Sequence, residues 1–88
     1  MKEQRVSPSI IAAIELERRY AFNKHPLSPE LTILEWSGVV RYLTIKLMLA
    51  PTDEDRKHLM RKIAATCVSS MEQHGCIPRE PFTDVTDE

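Results

Sequence analysis

Apolar residues recur every three or four positions through most of this chain, the period of an amphipathic α-helix. Prolines and glycines cut that pattern into three segments. Ser7-Pro8 and Ser28-Pro29 each set a hydroxyl before a proline, which suits an N-cap followed by the first helical position. Pro51 ends the segment before it, because its ring clashes with the preceding turn and it has no N–H to donate. Thr52 followed by Asp55 reads as a capping box with Asp in the usual place of Glu, and Asp53 and Glu54 complement the positive end of a helix dipole. Gly75 after His74 suits a left-handed C-cap. The predicted helices are Pro8–Phe22, Pro29–Leu49 and Asp53–His74, with a short turn over Asn23–Leu27. The expected fold is all-α: a three-helix bundle over residues 1–77 that assembles as a helical homo-oligomer, followed by a poorly ordered tail over 78–88.

The second helix is the informative one. At about 100° per residue, Ile33, Trp36, Val40, Leu43 and Leu47 share one face, spaced as a heptad seam. Leu31, Leu34, Gly38, Tyr42, Ile45 and Leu49 form a second apolar group on nearly the opposite side. Glu30, Ser37, Arg41 and Thr44 separate the two along one edge, and Glu35 with Lys46 along the other. A surface helix needs one apolar stripe, so two imply contact on two sides. Either the first and third helices share one side and leave the other to a partner, a second copy being the simplest, or each covers one side and no dimer is needed. The small core favours the oligomer. On that second side Gly38 lets a neighbouring backbone come close. Trp36 reads as an interface anchor or as the centre of the monomer core.

The third helix gathers Leu59, Met60, Ile63, Ala64, Cys67, Val68 and Met71 on one arc, with His58, Arg61, Lys62, Ala65, Ser69 and Glu72 opposite. The first is expected to bury Ile10, Ile11 and Ile14 before turning charged at Glu15, Glu17, Arg18 and Arg19. Tyr20 and Phe22 are expected to pack over the end of the bundle.

Composition narrows the role. A chain of 88 residues has room for one domain, and it buries only about 60–65% of the surface its unfolded form exposes. Twelve basic against thirteen acidic residues give a net charge of −1, which argues against nucleic-acid binding. Two cysteines, Cys67 and Cys76, are too few for a disulfide framework, and reduced thiols with no leader-like segment point to the cytoplasm. The longest apolar region, Val39 to Ala50, contains Arg41, Tyr42, Thr44 and Lys46 and cannot span a bilayer, so no membrane partner is expected.

Candidate chemistry is sparse. Glu15 and Glu17 stand two apart on a helix and point in different directions, so they read as a solvated salt-bridging face. Cys67, His74, Cys76 and His58 offer ligand atoms without the paired short spacing of a structural zinc site, and Cys67 reads as a small hydrophobe within the apolar arc. Cys76 follows a helix C-terminus, where the dipole disfavours a thiolate. With two glycines in the chain there is no phosphate-cradling loop, and neither GxSxG nor HExxH occurs. No catalytic, cofactor or metal residue is expected. Arg56, Lys57, Arg61 and Lys62 form a possible basic contact strip, whose field Asp53, Glu54 and Asp55 largely cancel.

The run Glu35-Trp36, Tyr42-Leu43, Arg56, Lys62-Ile63-Ala64-Ala65 and Glu72 with His74-Gly75 resembles small phage-encoded helical proteins, some of them related to the all-alpha nucleotide pyrophosphohydrolases of the MazG type. The likeness covers about half the chain. It implies a helical architecture and a tendency to oligomerise. That family's EExxE and ExxD strings, which hold magnesium, are absent here, so no active-site residue carries over. The expected function is a non-enzymatic protein-interaction module, a phage-type accessory or inhibitor that binds a host macromolecule. A degenerate nucleotide-binding or pyrophosphohydrolase-like module and a small DNA-binding regulator are the alternatives.

Overall fold

The computed structural model describes residues 5–25 and 30–80. They form three helices, α1 (Pro8–Lys24), α2 (Ile33–Leu49) and α3 (Asp53–His74), in an all-α fold with no strand among the described residues.

Each helix end has a local cause. Pro8 opens α1 behind Ser7, as expected of a proline at the first helical position. The Ser7 hydroxyl caps nothing and lies 3.4 Å from the Ser9 hydroxyl instead. Helix α1 runs on through Asn23 and Lys24, two residues of the predicted turn.

Helix α2 starts four residues later than the predicted Pro29. Thr32 is its N-cap: its Oγ1 accepts from the Glu35 N–H at 3.1 Å while Glu35 Oε1 accepts from the Thr32 N–H at 2.8 Å. This reciprocal box satisfies two orphan donors at once and takes the start away from Ser28-Pro29, which lies outside the described residues. The helix stops at Ala50, whose ψ of 140° is the extended conformation that a following proline imposes. Thr52 then caps α3 by accepting from Asp55 N–H at 3.1 Å. At the far end Gly75 adopts φ 89°, which side-chain-bearing residues avoid, and its N–H closes on Met71 O. Its ψ of 170° makes it an extended glycine turn and not the left-handed cap expected.

Helix α3 is the central element. The Ala50–Thr52 link folds α2 back antiparallel against it, and α1 lies along another side. Helices α1 and α2 do not pack on one another. This corrects the expected burial on α3. Ala65, assigned to the polar side, is the most buried residue of the helix, while Met60, Cys67 and Met71 of the supposed core arc are exposed. A helix flanked on two sides has two contact faces, so burial does not follow a single apolar arc. Only Ala50 and Ala65 are buried among the described residues, and neither is sealed from solvent completely. The expected burial of Ile10 and Ile11, and the packing of Tyr20 and Phe22 over the bundle end, do not occur; all four are exposed because α2 does not reach α1.

Candidate interaction surface

One face of α2 meets α3. Trp36, Val40, Leu43 and Leu47 are half-buried along this seam, and Ile33, predicted with them, is exposed at the first turn. A polar latch closes the seam at its open end. The Trp36 indole N–H donates to Gln73 Oε1 at 2.8 Å, the Leu31 N–H to the same oxygen at 3.3 Å, and His74 Nε2 donates to the Leu31 carbonyl at 2.6 Å. Leu31 therefore precedes the helix and is held at the α2–α3 junction, apart from the other residues of its predicted stripe. Trp36 lies in the monomer seam. Replacing Gln73 by leucine is expected to cost about 1 kcal/mol, since Trp36 loses its acceptor. Chemical denaturation followed by Trp36 fluorescence measures it, and an unchanged midpoint would show that the latch does not form in solution.

The opposite face of α2 meets no other helix among the described residues. Leu34 is 81% exposed, Leu49 78%, Met48 75%, Tyr42 60% and Ile45 47%. A β-carbon placed on Gly38 would touch no atom within 4 Å. Four of these large side chains, Leu34, Tyr42, Ile45 and Leu49, lie within the stripe and leave on the order of 500 Å² in water, toward the upper end of the ~300–600 Å² of the largest apolar patch on a typical monomer; Met48 stands on the edge that carries Arg41. The predicted second stripe is thus present and uncovered from Leu34 to Leu49. Its edge carries Glu35 and Lys46, the latter with its ammonium 5.2 Å from the Tyr42 ring centroid.

A second concavity lies between α1 and α3. Ile10, Ala13, Ile14, Met60 and Ala64 line a groove of about 710 Å³ with Arg56 and Lys57 at its rim. Farther along, Glu17 joins the two helices: its carboxylate accepts from Arg61 Nε at 2.8 Å and lies 3.6 Å from Lys62 Nζ, with only 12% of its side chain exposed. Arg18 Nε adds a bond to the Ser69 hydroxyl at 3.1 Å. The sequence reading of Glu17 as part of a solvated face is corrected here, because its partners come from α3, 44 and 45 residues on.

The basic strip is mostly committed within the chain. Arg56 bonds Asp53 and donates to the Ala50 carbonyl at 2.9 Å, and Arg61 and Lys62 share Glu17. Lys57 alone of the four makes no ion pair with a described residue. Cys67 and Cys76 are both exposed free thiols. Among the described residues no three of His, Cys, Asp and Glu are grouped so as to hold a metal ion, and no helix is long and apolar enough to cross a membrane.

No family model, curated protein or solved structure matches this chain.

Proposed function

We propose that the chain is a small non-enzymatic interaction module whose working surface is the outer face of α2, covered by another polypeptide in the functional state. One observation carries this reading: an apolar face with Leu34, Tyr42, Ile45 and Leu49 exposed, on which no described helix packs. Apolar surface of this extent is withdrawn from water by association. The acidic residue most withdrawn from solvent in an ion pair, Glu17, is committed to Arg61 and Lys62 and is not free to act on a substrate. Nucleic-acid recognition is disfavoured by these bonds together with that of Arg56 to Asp53, which neutralise three of the four residues of the basic strip. A module of this size acts by occupying the surface of a macromolecule, as an accessory or inhibitor of the phage-encoded type does.

Immobilised full-length protein, offered native-host lysate together with untagged copies of itself, tests the reading. The wild type is expected to retain a defined polypeptide, and Leu34→Asp and Tyr42→Asp to lose it. Leu16→Asp, altering an exposed apolar residue of α1, is expected to retain it. Identical retention by all four proteins would overturn the assignment.

A further inference from the structure

We propose that the occupant of this face is a second copy of the chain, with the two α2 helices antiparallel about a two-fold axis near Arg41 and Tyr42. The proposal rests on the reading that the outer face of α2 is the working surface, and it names what covers it.

The spacing of the stripe is self-complementary when reversed. Leu34 and Leu49 are equidistant from the midpoint between Arg41 and Tyr42, and so are Gly38 and Ile45. Turning one helix end for end therefore sets each Leu34 against the other copy's Leu49. It sets each Ile45 against the other copy's Gly38, where a side chain is missing and the space is open. A large residue facing a glycine lets two helices approach closely, and a two-fold axis creates each such contact twice.

Charge at the edge selects the antiparallel arrangement. Glu35 and Lys46 are eleven residues apart and so lie about 20° apart around the helix, on the same edge of the stripe. In an antiparallel two-fold pair the like edges of both helices share a rim. Along the helix axis, Glu35 of each copy is then offset by only about two residues' rise, ~3 Å, from the other copy's Lys46. One Glu35 oxygen is occupied by the Thr32 N–H, and the second remains for the ammonium. A parallel pair would set this edge against the one bearing Arg41, with no such match at equal height. The opposite rim of the antiparallel pair brings the two Arg41 side chains together. That contact opposes pairing and is weakened by salt, so the apolar seam carries the dimer.

The available area suits the purpose. Roughly 500 Å² of exposed apolar residue per copy supplies more than half of the ~800 Å² that each partner contributes to a standard stable interface, and the rim residues Glu35, Lys46 and Met48 add to it.

Sedimentation equilibrium of the purified full chain at about 100 µM, with a cross-linking arm, tests the proposal. Twice the 10.1 kDa chain mass is expected. Gly38→Ala is expected to weaken association about tenfold or more, because its methyl group occupies the space of the other copy's Ile45, while raising the helicity of the monomer. In a Cys67→Ser, Cys76→Ser background, a mixture of Leu34→Cys and Leu49→Cys proteins is expected to form the mixed disulfide, and Leu34→Cys alone none. A monomeric wild type, association indifferent to Gly38→Ala, or a disulfide between two Leu34→Cys copies would each overturn the proposal. A monomer that still loses a retained host protein on Leu34→Asp would end the dimer alone. Retention by every variant would end the reading beneath it.

Discussion

Leu34→Asp is expected to lower the melting midpoint by about 6–13 °C at chain concentrations near 100 times the dissociation constant, and to abolish its dependence on concentration. At that total concentration most chains are paired and only about 7 Kd remains free, so self-association stabilises the folded state by about 1.6 kcal/mol. In a domain of this length each kcal/mol moves the midpoint by about 4–8 °C. The same substitution does little to the isolated chain. Leu34 touches no neighbouring element and is the second residue of α2, where a carboxylate complements the positive end of the helix dipole. Calorimetry over a hundredfold range of concentration measures the effect. A wild type that melts at one temperature throughout would show that α2 is stable with its outer face wet.

The second large effect is expected at Ala65, whose exposure is 5%. It lies one turn from both Arg61 and Ser69 on α3, the residues that bond Glu17 and Arg18 of α1. That spacing sets its small side chain on the row of α3 that faces α1. Ala65→Leu overpacks this contact and is expected to cost about 1–3 kcal/mol. Ala65→Asp buries a charge without a partner and is expected to cost more. Urea denaturation followed by circular dichroism measures both. If Ala65→Leu were as stable as the wild type, α1 would not be seated on α3 as described.

These effects show why the helices were legible in the chain and their neighbours were not. Pro8, Pro51, Thr52 and Gly75 act within one turn of themselves, so α1 begins, α2 ends, and α3 begins and ends where the residues indicate. The start of α2 was set by a competition between two local signals. Thr32 and Glu35 carry the capping box in plain sequence, and it prevails over Ser28-Pro29 because it satisfies two backbone donors reciprocally. Periodicity correctly separated Trp36, Val40, Leu43 and Leu47 from Leu34, Tyr42, Ile45 and Leu49, since it depends only on helical geometry. It carries no information about which helix covers a face. For that reason Ala65 looked peripheral, Cys67 looked central, and Glu17 looked solvated. The apolar arc of α3 was assigned by hydrophobicity, whereas burial on it follows the two faces that α1 and α2 meet. The Gln73 latch on Trp36 spans 37 residues and has no local signature.

The small core gives the exposed face of α2 its importance. A fold whose buried residues, among those described, are two alanines gains little from its interior. Covering Leu34, Tyr42, Met48 and Leu49 removes more apolar surface from water than burying those two alanines does.

Hydroxyl-radical footprinting of the full chain at about 1 µM and about 100 µM reports directly on that face. Tyr42 stands on it, Met48 at its edge, and Tyr20 and Met60 are exposed elsewhere. With α2 pairing through its outer face, the oxidation of Tyr42 and Met48 falls at the higher concentration while that of Tyr20 and Met60 holds steady. Tyr42 and Met48 oxidised at the same rate at both concentrations, and as fast as their counterparts, would contradict it.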